Sequence, residues 1–272
     1  MSIEIVTHNG RRVSAIRHGA GPLIVLLPPG ASPAAAWRGV MDDLSSGFEC
    51  LAVNPSGYAE TDDFQADWPM SLDDEVEAVL ALIASRKETI HLVGHSYGGA
   101  IAVKLAQRHE FRFSTLTLIE PAVYPLLSQA GENDLANEVR SVNELFIGRV
   151  RAGANERAFQ EYFDYYNAGS LKWTDLSHSV KQRFLSISEQ VAVALAAVHA
   201  CEASLQDLEK LRIPALLVTG AETDAAHARL TEIVAQHIPN SRSETIATAG
   251  HMCSLTHPNE VAALIRSNIF ER

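Results

Sequence analysis

Short apolar runs bounded by glycine, proline or asparagine alternate along this chain with segments in which apolar residues recur every three or four positions. The run Leu23-Ile24-Val25-Leu26-Leu27, closed by Pro28-Pro29-Gly30, is apolar at every position, as expected of a strand buried on both faces of a parallel sheet. Residues 48–53, 90–93, 116–119 and 215–218 are further short runs rich in apolar residues, and 245–247 predict a last strand. Between these runs Trp37, Val40, Met41 and Leu44 fall on one helical face, as do Leu72, Val76, Val79, Leu80 and Ile83 behind the capping pair Ser71 and Asp74. Further helices are predicted over 230–237 and 261–269, the latter led in by Pro258 at a first-turn position. Near the start, residues 3–6 and 13–17 flank Asn9-Gly10, a dipeptide suited to a tight hairpin turn. Strand and helix alternating in this way predict an α/β fold with a mostly parallel, doubly wound sheet.

The alternation stops between 121 and 207, a segment too long for a plain crossover and without a convincing strand. Its helical spacing and its aromatics (Phe146, Phe159, Tyr162, Phe163, Tyr165, Tyr166, Trp173 and Phe184) predict a helical insertion over the C-terminal edge of the sheet. The core domain is then expected in two pieces, 1–120 and 208–272.

Composition narrows the possible partners. A chain of 272 residues, 47% hydrophobic, can bury one large core. Its formal net charge of −11 disfavours nucleic acid and anionic membrane surfaces. No apolar run approaches the roughly 18 residues of a membrane helix, and Met1-Ser2-Ile3-Glu4-Ile5 does not read as a secretory leader. Cys50, Cys201 and Cys253 lie far apart in no C-x-x-C arrangement, so neither a disulfide framework nor a zinc site is expected, and a reducing, cytoplasmic location fits. No phosphate-binding loop and no ligand-spaced set of histidines or carboxylates is evident, so no cofactor and no metal are expected. The expected partner is a small-molecule substrate, bound by a monomer or homodimer.

The stretch around which the chain is organised is Thr89-Ile90-His91-Leu92-Val93-Gly94-His95-Ser96-Tyr97-Gly98-Gly99-Ala100. It reads as strand, sharp turn and helix, and its turn matches G-x-S-x-G, in which a serine takes a strained conformation and small neighbours let strand and helix approach closely. On these residues the chain resembles the α/β-hydrolase superfamily over nearly its whole length. The resemblance implies that residues 121–207 form the cap over the active site, and that the catalytic groups occur in the order serine, acid, histidine.

A serine hydroxyl becomes a useful nucleophile when a base takes its proton and a carboxylate holds that base in the right tautomer. Ser96 is the expected nucleophile. His251, in Ala249-Gly250-His251-Met252 directly after the last predicted strand, is the expected base and resembles the family's catalytic-histidine segment. Asp224 follows the 215–218 strand in a turn resembling the family's acid turn and is the expected acid. Its alternative role is capping the next helix. Glu120, at the end of the 116–119 strand, is its rival, but Pro121 restricts Glu120 towards an extended backbone and suggests a cap hinge. The oxyanion donors are expected from Tyr97 and, because proline has no N–H, from Ala31, with Gly30 as an alternative. Gly30, Tyr124, Tyr162 and Tyr166 are the expected substrate-binding residues. Pro29 where relatives carry histidine, Asn54 where aspartate is common and His257 where an acid is common depart from the family pattern, and the last two read as structural. His91 and His95 read as packing residues, and Cys253 as buried and inert.

Together these features predict a serine hydrolase that cleaves a carboxylic ester or related acyl bond through an acyl-enzyme. The same triad could instead cleave a C–C bond beside a ketone or run a lyase or cyclisation reaction. A ligand receptor on a hydrolase scaffold is the alternative of another class, since fold alone does not exclude it.

Overall fold

The computed structural model describes residues 1–63, 71–88, 90–109, 112–167 and 172–270; Thr89 of the elbow stretch lies outside them. The chain opens with β1 (Ser2–His8) and β2 (Arg11–Gly19), paired antiparallel about a turn in which Asn9 and Gly10 both take positive φ, 50° and 77°. Then come β3 (Leu23–Leu27), a 3-10 turn at Ala34–Trp37 running into α1 (Arg38–Leu44), β4 (Glu49–Val53), α2 (Leu72–Leu82), β5 (Ile90–His95), α3 (Tyr97–His109) and β6 (Phe113–Ile119). Among the described residues, six α-helices lie between β6 and the next strand: α4 (Pro125–Gln129), α5 (Asn133–Arg151), α6 (Asn155–Tyr166), α7 (His178–Leu185), α8 (Ser188–His199) and α9 (Leu205–Leu208). The chain closes with β7 (Ala215–Gly220), α10 (Ala225–His237), β8 (Ser241–Ile246), α11 (Cys253–Thr256) and α12 (Pro258–Phe270).

The sheet has eight strands in the order β1-β2-β4-β3-β5-β6-β7-β8. Neighbours from β4 to β8 run parallel, and β2 joins β4 antiparallel. Successive residues of the buried strands serve opposite faces, which explains why apolar residues follow one another in them without alternation, most completely in β3. Leu23, Val25 and Leu27 pack with Leu92, Leu116, Leu118 and Leu217 against α2, α3 and α10, whereas Ile24 and Leu26 pack with Ala52, Val93, Leu216 and Val218 against α1 and α12. At roughly 1.5–3 kcal/mol for each fully buried large apolar side chain, the two faces supply the main drive for folding. The strand order reverses between β3 and β5, which pair although β4 lies between them in sequence. Their C-terminal ends open a crevice at this switch point, the usual ligand site of such sheets.

Two boundaries differ from the sequence expectation. The last strand runs over Ser241–Ile246 rather than 245–247, because as an edge strand it is buried only at Ile246 and carries polar residues along the rest. Helix α10 begins at Ala225, not near 230, because Asp224 caps it. The helices between β6 and β7 have a core of their own, built from Phe146, Phe159, Trp173, Val191 and Leu195 with Tyr162, Phe163 and Phe184 packed against it. Among the described residues no helix is long and apolar enough to cross a membrane.

Candidate active site

Ser96 sits between β5 and α3 with φ of 51°, and its N–H donates to the Ile119 carbonyl at 2.9 Å. The turn tolerates no side chain at its flanking glycines. A Cβ at Gly94 would lie 2.3 Å from the Gly98 carbonyl oxygen, and one at Gly98 would lie 2.2 Å from the Leu27 carbonyl oxygen. The Gly98 N–H donates to the Pro28 carbonyl at 3.0 Å, which ties α3 to the loop after β3. In that loop Ala31 has φ of 58°. Tyr97 is the first residue of α3, the end of a helix that favours negative charge. Its hydroxyl donates to the buried Glu75, which also accepts from the Ser56 N–H, and burial pushes the Glu75 carboxyl up.

His251 completes the arrangement from the loop after β8. Its Nε2 lies 3.0 Å from Ser96 Oγ and its Nδ1 lies 2.6 Å from Glu120 Oε2. A carboxylate only accepts, so Nδ1 carries the proton and Nε2 is left to accept from the serine hydroxyl. Glu120 is fully buried, and its other bonds come from the Gly220 N–H at 2.8 Å and the Thr223 hydroxyl at 2.7 Å. Its backbone is not extended as the following proline suggests: φ is 42°, a left-handed conformation for a glutamate. Ala31, Ser96 and Glu120 are thus three non-glycine residues held at positive φ around one point, each costing of order 1–3 kcal/mol, the kind of strain that collects at functional sites.

The carboxylate expected at this place was that of Asp224, and the structure places it elsewhere. Asp224 Oδ1 accepts from the His227 N–H at 3.0 Å, as the N-cap of α10, and Oδ2 accepts from His227 Nδ1 at 2.7 Å. Both oxygens are committed to the residue three positions on. The signal was present in Asp224-Ala225-Ala226-His227, since an aspartate at an N-cap bonds the third N–H of the helix as one of the strongest local preferences. Glu120, which has no helix to cap, is left to meet His251.

Burial alone would raise the Asp224 carboxyl, but the charge and hydrogen bonds of His227 outweigh it and hold the carboxyl far below the usual carboxylate range. Burial likewise opposes charge on His227, and the Asp224 carboxylate reverses this, raising the imidazole. The depressed carboxyl stabilises the fold above the ordinary aspartate range and loses its effect as pH falls; the raised imidazole stabilises below the ordinary histidine range and loses its effect as pH rises. The pair therefore contributes most between roughly pH 4 and 6.5. Urea midpoints of wild type and Asp224→Asn should differ most near the middle of that window and converge at both extremes. A difference independent of pH would contradict the ion pair.

His95, expected to be a packing residue, also braces the loop that carries His251. It is fully buried, its Nε2 lies 2.8 Å from the His251 carbonyl and its Nδ1 lies 2.8 Å from Ser254 Oγ. Burial, reinforced by the neighbouring His251, pushes it well below the ordinary histidine range, so it is neutral, donating to the carbonyl and accepting from Ser254. His95→Leu keeps a similar volume and loses both bonds. It is expected to lower kcat on the order of 10²-fold through misplacement of His251, with KM little changed. A kcat within twofold of wild type would return His95 to simple packing. His91, by contrast, bonds Thr115 on the neighbouring strand, and Asn54 bonds the Ala34 N–H and Ser14, both structural tasks. Cys253 is fully buried, which pushes its thiol up.

The cleft over Ser96 is walled by Gly30 and Ala31 from the core and by Phe159, Tyr162, Phe163, Tyr166 and Phe184 from the helical excursion. Its inner end adds Tyr97, Ala122, Tyr124, Leu195 and Val198. Gly30, Tyr124, Tyr162 and Tyr166 are thus brought together with Ser96, whereas Tyr165 turns away to bond Glu138. Among the described residues lining the cleft there is no lysine, arginine, aspartate or glutamate. Asp224, His227 and His251 bring potential metal-ligand atoms within 4.8 Å of one another, which the sequence spacing does not foretell. Both nitrogens of each ring already have a hydrogen-bond partner.

Known proteins resemble this chain. The chain is similar to the pimeloyl-[acyl-carrier protein] methyl ester esterase of Aeromonas hydrophila, 25% identical over 275 residues that cover 93% of this chain and 97% of that one. It is similar to the N-formylmaleamate deformylase of Pseudomonas putida, 25% identical over 254 residues covering 91% and 88%. Among solved structures, the enol-lactonase of Burkholderia xenovorans superposes with a TM-score of 0.78 at 17% identity, over 98% of this chain and 99% of that one, a likeness of fold. The model of the alpha/beta hydrolase family matches residues 24–264, and with the eight-stranded sheet and the serine elbow at its switch point this establishes that the chain belongs to the alpha/beta hydrolase family of enzymes.

Proposed function

We propose that the protein is a serine hydrolase that cleaves a carboxylic ester or related acyl bond through an acyl-enzyme, with Ser96 as nucleophile, His251 as general base and Glu120 as the orienting acid. The observation that carries this reading is the unbroken chain from Ser96 Oγ to His251 at 3.0 Å and from His251 to Glu120 at 2.6 Å. In the first half-reaction His251 Nε2 takes the Ser96 proton as Oγ attacks the acyl carbon. Glu120 stabilises the imidazolium, which then protonates the leaving alcohol. Water repeats the sequence on the acyl-enzyme and frees the serine. The backbone N–H groups of Tyr97 and Ala31 hold the oxyanion, each such donor being worth about 2.7–4 kcal/mol in the transition state.

The substrate class follows from the cleft. With aromatic and aliphatic walls and, among the described residues, no lysine, arginine, aspartate or glutamate in its lining, it suits an uncharged acyl group of small or medium size, bound beneath residues 121–207 as a cap. A carboxylate on the acyl chain would be desolvated there without a cationic partner. A monomer or homodimer in the cytoplasm completes the proposal, supported by three buried free cysteines.

p-Nitrophenyl butyrate should be turned over with an acyl adduct on Ser96 detectable by mass spectrometry after rapid quench, and p-nitrophenyl hydrogen succinate much more slowly. Absence of any adduct with normal turnover would remove the covalent step, and equal rates on the two esters would remove the uncharged-acyl assignment. Within the cleft, Tyr162→Ala should shift the kcat/KM ratio of hexanoyl to acetyl esters on the order of 10-fold. Tyr165→Ala should leave that ratio alone, and a Tyr162→Ala enzyme that merely melts earlier would make the ring cap core and nothing more.

A further inference from the structure

The cleft holds a hydroxyl that the steps above do not use. Tyr162 lines both the cleft over Ser96 and its inner end, as do Ser96 itself and Gly30, so its side chain stands beside the nucleophile where the two parts of the cleft join. We propose that the Tyr162 hydroxyl is a specificity-determining hydrogen-bond donor, and that the acyl group this enzyme takes carries an uncharged oxygen, of an ether, ketone or alcohol, that accepts from it. The proposal rests on Ser96 being the nucleophile.

Most hydroxyls in the lining already have partners. Ser96 Oγ is bonded to His251, Tyr166 donates to Asn143 Oδ1 at 2.9 Å, Tyr124 Oη lies 3.2 Å from His227 Nε2, and Tyr97 donates to Glu75. The Tyr162 hydroxyl, by contrast, has no hydrogen-bond partner among the described residues. Its place is fixed all the same. The Tyr162 ring packs 5.0 Å from Phe146 at an interplanar angle of 55°, and edge-on to Tyr166 at 4.6 Å and 61°. A ring held by two neighbours keeps its hydroxyl in position without a bond to it, which is the condition of a group set in advance for a ligand.

Burial pushes the Tyr162 phenol up, so the hydroxyl keeps its proton and can donate. In the open cleft water can satisfy it. A seated acyl chain displaces that water, and a hydrocarbon chain puts nothing in its place, leaving the hydroxyl desolvated and unpaired. A chain with an oxygen at that level restores the bond, so the site selects for the oxygen and against the methylene that would replace it. The acceptor is uncharged because no lysine or arginine lines the cleft, among the described residues, to pair a carboxylate. Ser32, in the loop after β3, is the other hydroxyl of the lining with no partner among the described residues, but it borders only the outer part of the cleft and not the inner end.

The test uses pairs of esters that differ by an oxygen in place of a methylene: p-nitrophenyl methoxyacetate with p-nitrophenyl butyrate, and p-nitrophenyl 3-methoxypropanoate with p-nitrophenyl pentanoate. Each pair gives a ratio of kcat/KM, oxygenated over hydrocarbon. The oxygen also changes the reactivity of the carbonyl, but that effect cancels when wild type is compared with Tyr162→Phe, which keeps the ring and removes the hydroxyl. In at least one pair the ratio should fall on the order of 10-fold in Tyr162→Phe, the loss expected for one neutral hydrogen bond. A purely structural role would lower both members of a pair alike, and ratios within twofold of wild type in both pairs overturn the proposal. A fall produced by Ser32→Ala and not by Tyr162→Phe also overturns it, by moving the contact to the core side of the cleft. Fluorophosphonate labelling of Ser96 separates the two levels: an unlabelled wild type refutes the hydrolase reading itself, whereas a labelled enzyme with unmoved ratios refutes only the role of the Tyr162 hydroxyl.

Discussion

Ser96→Ala is expected to lower kcat on p-nitrophenyl butyrate on the order of 10⁶-fold while the protein still folds, by analogy with removal of the nucleophile from other serine hydrolases. The size of the loss follows from the geometry. With Oγ gone, His251 Nε2 has no proton to take, and neither the oxyanion donors nor the cleft can create a covalent intermediate. The fold should survive because alanine keeps the same Cβ in a turn that already holds Ser96 at φ of 51°, and because the turn is fastened by backbone bonds from Ser96 N–H and Gly98 N–H rather than by the hydroxyl. Thermal unfolding should therefore differ little between the two proteins. A fluorophosphonate should label wild type at Ser96 and leave the variant unlabelled. Ordinary turnover by the variant, or labelling at another residue, would show that the covalent chemistry lies elsewhere.

The elements that were legible in the sequence are those in which every position carries one physical demand. Leu23–Leu27 and the strand before the elbow are buried on both faces, so their composition names them, and Gly94 and Gly98 mark a turn where a Cβ would strike backbone. The β8 edge was only partly legible because its exposed positions accept Ser241, Arg242 and Glu244, which carry no strand signature. That Ser96 and His251 meet was legible because each needs only a loop at the sheet's C-terminal edge. Which carboxylate meets His251 was not, because Glu120 and Asp224 both follow strands and the choice lies in three dimensions. His95 was missed for a related reason: a histidine inside an apolar strand looks like packing until its two partners, the His251 carbonyl and Ser254, are seen beside it. The aromatics of residues 121–207 were not separable either, since one helical face of α6 serves two tasks: Phe159 and Tyr162 belong to the core of these helices and, with Tyr166, also wall the cleft.

Glu120→Gln is expected to cost kcat on the order of 10⁴-fold, the loss known for an orienting acid replaced by its amide. The amide keeps the shape of the side chain and can still accept, but it can also present an NH₂ to His251 Nδ1. That stabilises the tautomer with its proton on Nε2, which cannot accept from Ser96, and it removes the negative charge that supports the imidazolium. Nothing else near the ring takes over. Asp224 is close, but its two oxygens are held by the His227 N–H and by His227 Nδ1, and turning it to His251 would strip the cap from α10 and the counter-ion from a buried ring. Asp224→Asn should therefore act chiefly on stability. Asparagine still caps a helix well, so the loss of the cap is small, whereas His227 loses the carboxylate that raises its imidazole. The expected ranking in purified, folded variants is a far larger loss of kcat for Glu120→Gln than for Asp224→Asn, with Ser96 still present but slow to label in the former. The opposite ranking would mean that Asp224 leaves its cap to reach His251 during turnover, and the acid would have to be reassigned to it.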